Sequence, residues 1–169
     1  MNRTDILNQI QKNVERLSAS DLPEYKYIPL HQKPSPSVLS LREVMLLLRK
    51  VIFPGFFGSE QEAQVDSIQY YTGVYLEQIY DLLHEQIYNG LCFEVDRCCD
   101  SKDRASRIAM DFINKIPYIK YLLSTDVKAI LDGDPAAKSL SEIIFCYPAV
   151  HAILHQRVAS GKSRALLPP

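Results

Sequence analysis

The sequence predicts an all-α protein, a multi-helix bundle with short connections and one long central helix. Apolar residues recur at steps of three and four along most of the 169 residues, which is the spacing of one buried helix face. Capping residues, prolines and glycines divide these stretches into separate helices. No segment shows the alternation of apolar and polar residues, bounded by turn signals, that is typical of a strand. The pattern therefore favours a helical bundle over any sheet-containing class.

The first helix is predicted close to the amino terminus, with Asn2 or Thr4 as its cap. One face of this helix is apolar and consists of Ile6, Ile10, Val14 and Leu17. A proline-rich connector from Ser18 to Ser37 follows, with no helical period. We expect three apolar or aromatic residues to hold the connector against the helices: Tyr25, Tyr27 and Ile28.

The second predicted helix begins at Ser37 or at Ser40, and Glu43 lies at capping-box spacing from Ser40. Its sequence VMLLLRKVIF is apolar nearly all round, so we expect it to lie centrally in the bundle. The following Pro54-Gly55 ends this helix.

The long central helix is predicted from Glu60 to Asn89, where Gly90 provides a carboxyl-terminal stop. Its apolar stripe consists of Val65, Ile68, Tyr75, Ile79, Leu82 and Leu83. The next helix has its own stripe, formed by Ala105, Ile108, Ala109, Phe112, Ile113 and Ile116. Pro117 then either begins the following helix or kinks a continuous pair.

A proline-bounded corner is predicted around Asp134. The preceding helix ends at Asp132-Gly133, because Gly133 is free to take the left-handed conformation. Since Pro135 follows, Asp134 is biased toward extended dihedral angles and its carboxylate is expected to project from the corner. Ser139 and Glu142 have the spacing of a capping box and start a new helix, which Tyr147-Pro148 kinks or restarts.

These residues carry a family resemblance. The run DVKAILDGDPAAKSLSEIIFCYPAVHAILHQRVA resembles the helical segment that precedes the catalytic domain of bacterial serine O-acetyltransferases. In that family a helix, a D-P-A corner and a helix ending in R-[IV]-[AG]-H lead into a left-handed β-helix. The resemblance includes Asp126, the corner from Asp134 to Ala136, the Tyr147 to His151 region and Arg157-Val158-Ala159.

The resemblance implies a function. Serine O-acetyltransferases transfer acetyl from acetyl-CoA to L-serine in cysteine biosynthesis, and their corner aspartate helps to hold the amino acid. It therefore implies that Asp134 is a substrate-binding residue, because a carboxylate pairs well with the substrate's ammonium group. The family's catalytic histidines and acetyl-CoA groove belong to a hexapeptide-repeat domain. The resemblance thus implies no catalytic residue, no bound cofactor and no metal in this chain.

The resemblance also implies partners and a domain organisation. It covers residues 1–159 as one helical domain, and residues 160–169, SGKSRALLPP, match nothing expected and are read as a tail. The family assembles as a hexamer of paired trimers and binds cysteine synthase through its carboxyl terminus. We expect this chain to self-associate, and without the β-helix to be inactive alone. The alternative is a non-catalytic helical assembly or partner-binding module.

Charge and hydropathy exclude other classes of protein. A formal net charge of −1 with mixed signs leaves no basic face for nucleic acid. The amino terminus is too polar for a secretory signal, and the apolar runs are too short to span a membrane. We therefore expect a cytoplasmic protein with one globular domain.

The remaining motifs indicate no further site. Cys92, Cys98, Cys99 and Cys146 lack the spacing of a secreted disulfide scaffold, and reduced thiols are expected. His151 and His155 share a helix face, but no third metal ligand lies near them in sequence. Gly161-Lys162-Ser163 lacks the first glycine of a phosphate-binding loop, where Gln156 stands instead.

Overall fold

The computed structural model describes residues 2–18, 35–94 and 100–166. This part of the chain consists of helices joined by turns and contains no strand, so the all-α prediction is confirmed. The chain divides into two compact units, Met1–Lys33 and Pro34–Pro169, and each is described by itself. The expected anchoring by Tyr25, Tyr27 and Ile28 lies outside the described residues.

The described residues of the first unit form one helix, α1 (Arg3–Ser18). Of the two predicted caps the structure selects Asn2, whose Oδ1 accepts a hydrogen bond from the Thr4 amide at 3.3 Å. No residue of α1 is buried. Its apolar residues are 43–80% exposed: Ile6, Leu7, Ile10, Val14 and Leu17. The predicted apolar face therefore exists, and it is open to solvent.

The second unit contains the other helices: α2 (Val38–Ile52), α3 (Val65–Glu94), α4 (Ser101–Gly133), α5 (Leu140–Cys146) and α6 (Pro148–Leu166). α3 packs between α2 and α4, and α4 also packs against α5 and α6. The most completely buried large side chains are Leu48, Ile79, Leu83, Leu123, Ile143 and Leu154. The sequence predicts one long central helix, and the structure has two long helices that pack against each other, α3 and α4.

The amino terminus of α2 is fixed by a capping residue and by a buried glutamine. Ser37 is the cap, and its Oγ accepts from the Ser40 amide at 3.3 Å. The Ser37 amide itself donates to Oε1 of Gln86 on α3 at 2.6 Å. Because Gln86 is buried, this bond ties the start of α2 to the middle of the core.

Both predicted ends of the long helix are wrong. Glu60 lies in a turn, and α3 begins at Val65 because Glu62 bonds to side chains of α2 and α3 instead of joining a helix. At the other end α3 continues through Gly90 to Glu94. The extra turn buries Cys92, and this packing stabilises the helix beyond the stop signal at Gly90.

α4 is one continuous helix of 33 residues that passes through Pro117. Proline has no amide hydrogen, so the helical bond to the Ile113 carbonyl cannot form. Buried residues on both sides of the proline, Phe112, Ile116, Ile119 and Leu123, keep the helix packed on the core. Of the two alternatives in the sequence, the structure therefore selects the continuous helix.

Cysteine chemistry differs from the prediction. Cys92 is disulfide-bonded, so the expectation of reduced thiols is wrong for this residue, whereas Cys146 is a free and exposed thiol. Cysteine spacing that differs from that of secreted scaffolds does not exclude a disulfide at Cys92. In the part of the chain that the structure describes, no helix is long and apolar enough to cross a membrane.

Candidate functional site

The corner at Asp134 is formed by the end of α4 and a proline. The Asp134 amide completes the last helical hydrogen bond, donating to the Ile130 carbonyl at 2.9 Å. Asp134 then takes extended dihedral angles, φ −105° and ψ 107°, as predicted for a residue before proline. Gly133 does not adopt the predicted left-handed conformation. Among the described residues, positive φ occurs at Gly55. The helix ends through Pro135 and needs no glycine cap.

The Asp134 carboxylate is held by two hydrogen bonds. Its Oδ1 accepts from the Ala136 amide at 2.9 Å, which is the local turn typical of aspartate. Its Oδ2 accepts from the Tyr147 hydroxyl at 2.9 Å. The carboxylate therefore lies at the corner, as expected, but turns back toward α5 instead of projecting freely. Each carboxylate oxygen accepts two hydrogen bonds in general, so both oxygens retain capacity for a ligand.

Tyr147 is positioned by the break between α5 and α6. It precedes Pro148 and is extended, with φ −83° and ψ 115°. Its amide donates to the Ile143 carbonyl at 3.2 Å, and its carbonyl accepts from the Val150 amide at 3.1 Å. The hydrogen bond to Asp134 raises the pKa of the Tyr147 hydroxyl. Two residues that each precede a proline thus meet through their side chains.

α5, which lies between Asp134 and Tyr147 in sequence, is held in place by its cap and by aromatic contacts. Ser139 Oγ accepts from the Glu142 amide at 3.1 Å, and Glu142 Oε2 accepts from the Lys138 amide at 2.9 Å. The predicted capping box is therefore present, with the return bond shifted to the preceding amide. Phe145 packs against Phe56 and Phe57 with ring centroids 5.3 and 5.5 Å apart. These contacts attach α5 to the turn after α2.

A bidentate ion pair joins α4 to α6. Arg157 Nε donates to Oδ2 of Asp126 at 3.1 Å, and its Nη2 donates to Oδ1 at 3.0 Å. The parallel geometry is the favourable arrangement for arginine and a carboxylate. Both residues belong to the segment that carries the family resemblance, and the pair fixes the helices on either side of the corner.

Comparison with known proteins supports this resemblance. No protein-family model matches the chain. A plasmid-encoded serine acetyltransferase of Synechococcus elongatus is 35% identical over 164 residues, covering 90% of this chain and 50% of the relative. A serine acetyltransferase of Mycobacterium tuberculosis is 50% identical over 34 residues, 20% of this chain and 15% of the relative. The chain is similar to serine acetyltransferases. It spans about half the length of the Synechococcus relative.

Solved structures of serine acetyltransferases share the fold. Native serine acetyltransferase 1 of Entamoeba histolytica has a TM-score of 0.61 and 25% identity, over 95% of this chain and 53% of that one. The same enzyme in complex with L-cysteine has a TM-score of 0.60 and 28% identity, over 79% of this chain and 45% of that one. This chain corresponds to a helical region of that enzyme.

His151 and His155 lie on α6 and, among the described residues, are not part of a metal-binding cluster. His155 Nδ1 donates to the His151 carbonyl at 2.7 Å, which leaves that nitrogen unable to ligate a metal. Burial, together with nearby Arg49 and His155, lowers the pKa of His151. Among the residues described, no three histidine, cysteine or acidic side chains are arranged to hold a metal ion.

Sequence reasoning missed a polar cluster between α2 and α3. Lys50 Nζ lies 3.4 Å from Glu62 Oε2 and 3.2 Å from the Tyr75 hydroxyl, and that hydroxyl donates to the same Glu62 oxygen. The bond from Tyr75 lowers the pKa of Glu62, and burial followed by that bond raises the pKa of Tyr75. The three residues are distant in sequence and share no motif, so only the fold brings them together.

Proposed function

We propose that the chain supplies the serine-binding corner and an assembly surface of a serine O-acetyltransferase. One observation carries this proposal: the Asp134 carboxylate is held at a D-P-A corner by the Ala136 amide and the Tyr147 hydroxyl. The chain that builds this corner is similar to serine acetyltransferases. A fixed carboxylate with remaining acceptor capacity suits the ammonium group of L-serine.

The rest of the reaction needs residues from elsewhere. Transfer of acetyl from acetyl-CoA to the serine hydroxyl requires a base for that hydroxyl and a site for the thioester. Among the described residues, the Asp134 carboxylate is suited to holding the amino acid, and the chain spans only about half the length of the Synechococcus relative. We therefore propose that this chain alone does not acetylate serine. L-serine-dependent thiol release from acetyl-CoA by the pure chain would contradict that proposal.

A chimera tests the role of Asp134 directly. This chain replaces the matching half of the Synechococcus enzyme, and L-serine and acetyl-CoA are varied separately. Loss of one hydrogen bond to a charged group costs ~1.5–3 kcal/mol. Asp134→Ala should therefore lower kcat/KM for serine by roughly 10- to 100-fold, with the acetyl-CoA KM nearly unchanged. Asp134→Asn should keep the turn and still lose the ion pair with the ammonium group.

The same chimera separates binding from stability. Unchanged serine kinetics in both variants, together with a lower melting temperature, would make Asp134 a turn residue only. L-cysteine has the ammonium and carboxylate groups of L-serine, and a related structure contains it. We expect L-cysteine to compete with L-serine in the chimera and to compete less well after Asp134→Asn.

The exposed face of α1 favours a second function, helical assembly. Its apolar residues are open to solvent along the whole helix, and a contiguous apolar stripe of this kind is typical of an interaction surface. We propose self-association through this face, in line with the oligomeric assembly that the resemblance implies. An assembly role without catalysis would leave the chimera's serine kinetics independent of Asp134.

A further inference from the structure

An open groove of about 440 Å³ lies between α2 and α6 in the second unit. Its apolar part comes from α2 and consists of Val38, Leu41, Met45 and Leu46. Its polar part consists of Arg42, Arg49, His151 and His155. No described carboxylate lines the groove. The groove is therefore apolar along one helix and cationic where the two helices face each other.

Helical spacing explains this layout. Val38, Met45 and Arg49 follow one another at seven and four residues, so they share one face of α2. The rise of a helix places Val38 and Met45 about 10 Å apart along the axis. His151 and His155 are one turn apart on α6, and His151 lies near Arg49. The groove thus has an apolar trough that ends at the cationic Arg49, and Arg42 lies beside the trough, one turn after Val38.

Among the described residues, the two arginines of the groove have no counter-ion. Neither Arg42 nor Arg49 pairs with a carboxylate among the described residues. The Arg49 guanidinium instead lies over the Phe57 ring, 3.9 Å from its centroid. Burial lowers the pKa of Arg49, and burial with the neighbouring cationic groups lowers the pKa of His151. A partly desolvated positive charge without a carboxylate partner favours an added anion.

We propose that this groove binds a small amphipathic carboxylate, with its head group at Arg49 and His151 and a linear apolar chain along Met45 and Leu41. The charge of the groove selects an anion, and the eight residues from Arg49 to Leu41 correspond to a ligand length of about 12 Å by the helix rise. The volume of the groove lies within the ~300–1,000 Å³ of small-molecule sites. The proposal is independent of the Asp134 corner and of the serine reaction.

Calorimetric titration of the 169-residue chain with octanoate tests the proposal. We expect saturable binding of one octanoate per chain. Acetate has the head group without the chain, and octyltrimethylammonium has the chain with the opposite charge. Both should bind at least tenfold more weakly than octanoate. Equal binding of octanoate and octyltrimethylammonium, or no saturable octanoate binding, would overturn the proposal.

Variants locate the binding to the groove. Arg49→Gln should weaken octanoate binding at least tenfold, and Leu46→Gln should weaken it without core damage because Leu46 is exposed. Arg42 is a second, exposed cation of the groove, and Arg42→Gln should also weaken octanoate binding. This variant tests the site if Arg49→Gln does not fold. Arg104→Gln, an exposed arginine on α4 outside the groove, is the matched control.

Octanoate affinity within twofold of the original in every folded groove variant would refute the site. Sedimentation that shows the groove variants breaking a dimer, with no octanoate binding, would identify an interface between copies and also refute it.

Discussion

The Tyr147 hydroxyl donates a hydrogen bond to Oδ2 of Asp134 at 2.9 Å and so connects the two proline-bounded breaks on either side of α5. Asp134 ends α4 before Pro135, and Tyr147 ends α5 before Pro148. The proline after each residue biases it to extended dihedral angles. The orientation of the Asp134 carboxylate therefore depends on a residue 13 positions later in the chain.

Tyr147→Phe should reduce stability most at neutral pH and least at high pH. The bond to Asp134 raises the pKa of Tyr147, so the folded protein keeps this proton longer than the unfolded chain does. The contribution is fully present below about pH 10, the unfolded pKa of tyrosine. It is lost as the pH rises through the folded pKa. Urea unfolding at pH 8 and near pH 11 should show the difference between original and variant narrowing at the higher pH.

Two controls accompany the Tyr147 experiment. Tyr70→Phe changes an exposed tyrosine on α3 and should alter stability little at either pH. Tyr75 also has a raised pKa, but it is present in both proteins and its effect cancels in the difference. A stability difference for Tyr147→Phe that is identical at both pH values would contradict the hydrogen bond to a carboxylate.

Glu62 should make the protein sensitive to acid. The hydrogen bond from Tyr75 is the largest cause of its lowered pKa, with further contributions from the Ser59 amide and from Lys50. The resulting stability is present above the unfolded pKa, about 4.3, and is lost as the pH falls through the folded value. Glu62→Gln should be less stable than the original at pH 7 and approach it near pH 3. Glu77→Gln, exposed on α3, is the control, and a parallel pH profile for Glu62→Gln and the original would disprove the prediction.

The sequence predicts helices correctly where burial and local signals agree. In the predicted α4 stripe, Ala105, Ala109, Phe112 and Ile116 are buried and Ile108 and Ile113 are partly buried, because a period of three to four residues places these side chains on one face. The extended conformation of Asp134 and the cap at Ser139 also follow from short-range sterics and hydrogen bonding. These features depend on neighbours in sequence, so a single sequence contains the information.

Predictions from helix-breaking residues fail where packing opposes them. Gly90 and Pro117 both lie inside helices, because buried residues such as Cys92 and Ile119 continue the packing beyond them. A glycine or proline inside a helix lowers its stability by about 1–3 kcal/mol, and core burial offsets this loss. The hydrogen bonds of Asp134 to Tyr147 and of Glu62 to Tyr75 were not predictable, since only the tertiary fold brings these side chains together.

Glycine substitutions should separate helix propensity from turn geometry. Gly73 lies inside α3, and an added Cβ would meet no atom within 4 Å. Gly73→Ala should therefore stabilise the protein by about 0.5–1 kcal/mol. Gly55 has φ +84° in the turn after α2, where alanine is strained, so Gly55→Ala should destabilise by about 1 kcal/mol. Thermal unfolding of both variants measures these changes in stability. A destabilised Gly73→Ala variant would indicate that the surface of α3 at Gly73 is covered in solution.

The chain should self-associate through α1. Ile10 and Val14 lie on its apolar face and are 53% and 50% exposed, so association can bury them without rearranging a core. Sedimentation velocity at roughly 50 µM, a range that reports micromolar association, should show species larger than a monomer. Ile10→Asp with Val14→Asp should shift the distribution to monomer, because burial of two carboxylates without partners is strongly unfavourable.

The matched control places the same charges on the other face of α1. Gln9 and Asn13 are exposed and lie four residues apart, as Ile10 and Val14 do. Gln9→Asp with Asn13→Asp therefore adds the same charge to the same helix and leaves the apolar face intact. If both double variants dissociate equally, net charge and not the apolar face controls association. If the unsubstituted chain is monomeric at this concentration, the exposed face of α1 is no self-association surface, and the assembly role loses its support.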